Sequence, residues 1–126
     1  MKIYFDNCVL NRPFDDQTAE RIYLETRAFL LLLKMIENGV IQILNSFAIH
    51  YEIDKISEWE KKEKIHTFLS LATDYIPFEK EMNQRASELI DFGFSSMDAL
   101  HISAAENAKA DCFVTCDDQI ISCKEE

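Results

Sequence analysis

Four short apolar runs, each followed by helix-forming sequence, constrain this chain more than any other feature. They are MKIYFD at positions 1–6, Val40 to Leu44, Tyr75 to Phe78, and Cys112 to Thr115. Runs this short are buried strands, and the stretches between them are long enough for crossover helices. Strand and helix in alternation predict an α/β fold: a mostly parallel sheet covered by helices on both sides and joined by right-handed crossovers.

The connecting segments read as follows. Asn7 to Gln17 is expected to be a loop, with Pro13 stiffening it and Asp15, Asp16 and Thr18 offering caps to the next helix. That helix carries Ile22, Phe29, Leu33 and Ile36 on one stripe, and the run Leu30 to Leu33 makes it apolar over more than one face. It reads as a core helix stopped by Asn38 and Gly39, with an apolar run well short of the ~20 residues a bilayer needs. Ser46 is the expected N-cap of a helix through Ile49, Ile53 and Ile56. Glu60 to Leu71 and Glu79 to Phe92 form two further amphipathic helices, the second closed by Gly93. Ser95 caps the last, where Met97, Leu100, Ala104 and Ala108 form a stripe widened by Ile102 and Ala105, while Ser103, Glu106 and Asn107 face away.

Against this pattern four acids stand out. Asp6 and Asp117 each follow the carboxyl end of a strand, the edge where open α/β sheets bind ligands, while Asp111 falls at the opposite edge. Glu52 lies about 40° from Ile56 on a helix whose Asp54 points into water. Asp98 falls on the apolar side of its helix between Ile102 and Ala105. Each has an ordinary explanation: a glutamate at the stripe's margin sends its head to solvent, and an aspartate in a first turn pairs with backbone N–H groups. Together they are carboxylates that would repel one another unless a hard divalent cation held them.

Composition bounds the rest. With 126 residues, 48% hydrophobic, and only 2 Gly and 2 Pro, the chain is expected to form one domain without an internal linker. The N-terminus lacks the apolar stretch and cleavage site of a secretory signal, which points to the cytoplasm. The 4 Cys residues contain no C-x-x-C pair, so they read as small buried hydrophobes or surface thiols in place of a zinc site. A formal charge of −10 opposes non-specific nucleic-acid binding except where a metal inverts the field.

The segments IYFDNCVLNRPF, SFAIHYEI, FSSMDALHISAA and VTCDD give the chain, over nearly its whole length, a resemblance to the PIN-domain family of metal-dependent ribonucleases, and within it to VapC-like toxins. The resemblance implies a three-layer α/β/α sandwich with four or five strands and one PIN-like domain over residues 1–126. Its acidic Mg²⁺ or Mn²⁺ site would fall on Asp6, Glu52, Asp98 and Asp117, with Thr115 as the polar residue two before the last acid. Asn7, Asn11, Ser46 and Asp118 are lesser candidates for contacts to the ligands or the substrate. The implied reaction is hydrolysis of RNA phosphodiesters by water activated at a divalent cation, and the implied partners are a cognate antitoxin and a second copy of the chain. The sequence departs from the family pattern after Ile120, Ile121 and Ser122, where a final edge strand is expected and none is legible.

Two other functions are compatible with the residues. One is a PIN-like module that binds an antitoxin or an RNA-associated protein without cutting. The other is aspartyl phosphotransfer through Asp6, which fits less well because Cys8 stands where one such fold needs a second aspartate. A pairing of Ser96 with His101 is discounted, since residues five apart on a helix do not share a face.

Overall fold

The computed structural model describes residues 1–116. Four strands, β1 (Lys2–Phe5), β2 (Gln42–Ser46), β3 (Asp74–Ile76) and β4 (Cys112–Val114), form one parallel sheet in the order β3-β2-β1-β4. Six helices connect them: α1 (Asn7–Asn11), α2 (Glu20–Glu37), α3 (Phe47–Asp54), α4 (Trp59–Leu69), α5 (Lys80–Asp91) and α6 (Ser96–Asn107). This is the α/β sandwich that the alternating runs predict.

Why β1 lacks a polar face is clear from its neighbours. Successive strand residues point to opposite sides. Tyr4 stacks on Phe113 of β4 and meets His101 of α6 edge-on, whereas Phe5 turns to Phe29 of α2 and Phe68 of α4. Both faces are therefore covered, and Ile3, Tyr4 and Phe5 are all buried. A second, smaller cluster of Ala86, Leu89, Phe94 and Ala99 lies between α5 and α6.

Strand order places a topological switch beside β1. The chain steps from β1 to β2 to β3 on one side, then crosses back to lay β4 on the other. The crevice outside the carboxyl ends of β1 and β4 is where such sheets leave room for a ligand.

Several local expectations are corrected. Asn7–Asn11 is helical and Arg12–Phe14 is a 3-10 turn, where the sequence suggests a loop: the Asp6 side chain accepts the Asn7 N–H and starts the turn itself. Helix α2 begins at Glu20 without a side-chain cap, and Asp16 is instead closed onto Thr18. Nor is α2 a core helix. Only Thr26 and Phe29 of it are buried, while Leu24 is 58% and Leu31 64% exposed. In α6, Ser103 does not face away but is buried, donating to the Ala99 carbonyl. That helix is covered by the sheet on one side and by α5 on the other, so no single stripe describes it. Ile90 of α5 stays exposed. The stops at Gly39 and Gly93 hold, with φ of 74° and 111° that only glycine adopts readily. Among the described residues no helix is long and apolar enough to cross a membrane.

Candidate metal centre

Register builds the site. Tyr4 pairs with Phe113 across the β1–β4 ladder. Two residues on, the same pleat brings Asp6 opposite Thr115, whose Oγ1 donates to Asp6 Oδ2 at 2.9 Å. The Asp6 backbone N–H continues the ladder to the Val114 carbonyl at 2.9 Å. On the other flank Ser46 ends β2 and opens α3, its hydroxyl accepting the Ile49 N–H. Helix α3 then needs less than two turns to bring Glu52 over the ends of the strands.

Asp6 is buried, and a buried carboxylate needs partners. It has three donors: the Asn7 N–H at 2.7 Å, Thr115, and the Cys8 thiol at 3.6 Å. Glu52 receives Asn7 Nδ2 on Oε2 at 3.3 Å and His101 Nε2 on Oε1. Ligand atoms of Asp6, Glu52 and His101 all lie within 4.8 Å of one another. Glu52 therefore stands within reach of a ligand shared with Asp6.

His101 is the residue that sequence reasoning missed. It is wholly buried, and Nδ1 meets the Tyr4 hydroxyl at 2.7 Å, which in turn meets Ser46 Oγ at 2.6 Å. Burial pushes the Tyr4 phenol far above its ordinary range, so it keeps its proton. One ring nitrogen of His101 thus meets Glu52 and the other meets Tyr4, with Ser46 next in line. A series of hydrogen bonds runs from the end of β2, through β1 and α6, to the carboxylate of Glu52.

The other candidates divide. Asn7 bridges the two acids. Its Oδ1 is buried and accepts no hydrogen bond among the described residues. A flipped amide would set that oxygen against Glu52, so the assignment stands on chemistry. Asn11 is turned away, with Nδ2 donating to the Asn7 carbonyl at 2.8 Å inside its own helix. Asp98 is half-buried in the first turn of α6, its N–H capped by Ser95 at 3.1 Å, one turn before His101 and outside the close group of ligand atoms. Asp117 and Asp118 lie outside the described residues. Asp111 sits at the far edge as expected, accepting the Lys2 N–H at 2.7 Å.

Beside Asp6, Cys8 Sγ accepts the Cys116 N–H at 3.1 Å, and hydrogen bonding with Cys116 holds Cys8 below the ordinary thiol range. Glu25 loses favour for its charge through burial, yet Arg12 at 2.9 Å, Cys116 and the Arg21 charge together keep it below the usual carboxylate range.

The donor set fits a hard divalent cation. Two carboxylates are the ligand type Mg²⁺ and Mn²⁺ select, and the adjacent imidazole is tolerated by Mn²⁺.

No family model matches the chain, and no curated protein matches it. Solved structures do. The fold matches a chain in the crystal structure of VapBC2 from Rickettsia felis bound to a DNA fragment from their promoter, with a TM-score of 0.60 and 17% identity over 97% of this chain and 92% of that one. It also matches a chain of FitAcB from Neisseria gonorrhoeae, with a TM-score of 0.61 and 16% identity over 98% and 93%. At these identities the likeness is one of fold.

Proposed function

We propose that the chain is a metal-dependent endoribonuclease, the toxin of a toxin–antitoxin pair. The observation that carries this reading is the convergence of Asp6, Glu52 and His101 at the switch point of a sheet fold shared with chains of VapBC2 and FitAcB. Asp6, Glu52 and Asn7 would hold a Mg²⁺ or Mn²⁺ ion, which supplies Lewis acidity to a phosphodiester and to the water that attacks it. Thr115 and the Asn7 N–H fix the Asp6 carboxylate, and His101 fixes Glu52 and takes up part of its charge. Asp98, one turn before His101, and Asp117, two positions after Thr115 in sequence, would serve as further ligands of the cation or its waters.

RNA reaches a chain of this charge only through the cation, so binding and cutting both depend on it. An antitoxin partner and a homodimer are supported by the outward face of α2, where Tyr23, Leu24, Leu30, Leu31 and Met35 leave apolar surface uncovered. Aspartyl phosphotransfer has less support, because Asp6 is buried and both its oxygens are engaged.

The test is incubation of the purified chain with mixed RNA substrates in Mg²⁺, Mn²⁺ or EDTA, beside Asp6→Asn and Asp98→Asn. Cleavage in the ions, and none in EDTA or with either variant, is the expected result. RNA left intact under all conditions while the chain still binds an antitoxin peptide would favour the non-cutting module.

A further inference from the structure

Two cysteines come together at the margin of the acid cluster without being needed by it. Cys8 belongs to α1 and Cys116 follows β4, 108 positions later, and they meet because β1 and β4 are adjacent and in register. The Cys116 N–H donates to Cys8 Sγ at 3.1 Å, which anchors the Cys116 backbone against that sulfur. Cys8 is half-buried and is the more exposed of the two, whereas Cys116 is 8% exposed. Cys112 is an exposed thiol that takes no part in the contact. Accessibility alone would make Cys112 the first thiol to react, but only Cys8 and Cys116 among the described cysteines are placed to react with one another.

We propose that Cys8 and Cys116 are a dithiol site that a hydroperoxide closes to a disulfide. In the first step the Cys8 sulfur attacks the peroxide oxygen, the O–O bond breaks, Cys8 is oxidised to a sulfenic acid and one water leaves. In the second, the Cys116 sulfur attacks the Cys8 sulfur, the S–O bond breaks and a second water leaves. Overall, two thiols lose two electrons and two protons, and one hydrogen peroxide becomes two waters.

The disulfide joins α1 to the end of β4 and removes the S–H that Cys8 offers to Asp6 Oδ2, leaving that oxygen to Thr115. The link also closes a loop over nearly the whole described chain, which restricts the unfolded state more than the folded one. This site does not depend on the nuclease reading, since the thiols meet through the sheet whatever the acids bind.

The experiment uses the full chain with Cys112→Ser and Cys123→Ser, treated with a few equivalents of hydrogen peroxide, alkylated with N-ethylmaleimide, and digested with trypsin without reductant. Mass spectrometry should find the Cys8 peptide joined to the Cys116 peptide within single chains, and dithiothreitol should release it. The oxidised chain should melt roughly 5–15 °C higher than the reduced one. Fragmentation of the linked peptides from the wild-type chain gives the same assignment without relying on the serine variants. Recovery of Cys8 and Cys116 as separately alkylated or separately oxidised residues, or linked only between chains, would overturn the proposal.

Discussion

His101 gives one ring nitrogen to Glu52 and the other to Tyr4, so the position of a candidate-site carboxylate depends on a phenol in the middle of the sheet. Removing that phenol leaves His101 Nδ1 and the Ser46 hydroxyl each short of a partner in a buried place. Tyr4→Phe should therefore cost about 1–3 kcal/mol of stability, read as a lower urea midpoint with an unchanged slope. Asp6 and Glu52 are visible in sequence because a charge at a strand end or on an apolar helix face violates the expected pattern. His101 violates nothing: a histidine in a helix that is buried all round looks like packing, and its partners come from segments 49 and 97 residues away. Asn7 was legible as a candidate by position alone, since nothing local shows that its oxygen would be left unpaired.

Among the elements, α1 and the 3-10 turn are tied to α2 by Arg12, whose guanidinium bonds both Asp15 and Glu25 at 2.9 Å. Glu25 is held below its ordinary value of 4.5, so the sign follows from linkage. The contribution is complete above about 4.5 and is lost as pH falls through the lower folded value. Melting temperature followed downward from neutral pH should fall less steeply below that point for Glu25→Gln than for wild type; parallel curves would remove the tie from the account. Helix α2 also shows where pattern reading fails at this scale. Its leucine run announces an apolar helix but does not say that a sheet this narrow covers only one side, and the surplus is left facing out. Leu31→Lys should consequently change stability by no more than about 0.5 kcal/mol while abolishing association with a partner, as seen by denaturation and by light scattering in the partner's presence.

Across the whole molecule, the sheet order and the two covered faces follow from the apolar runs, whose spacing demands parallel strands and helical crossovers. The candidate site lies where that order reverses, so fold and site are one consequence of the same topology. A net charge of −10 sets the energetics: carboxylates gathered at one crevice repel until a cation joins them. Asp98→Asn should melt above wild type in EDTA and below it in Mn²⁺, because the variant relieves repulsion but gains less from the ion. An order independent of metal would remove Asp98 from the cleft. The most direct measurement is calorimetric titration of Mn²⁺ into the full chain at about 0.15 M salt, where diffuse surface attraction is screened, compared with Asp6→Asn and Glu52→Gln. The account predicts saturable binding to wild type, weakened at least about tenfold by either substitution, a loss of about 1.4 kcal/mol or more. Wild-type affinity in both variants would contradict it.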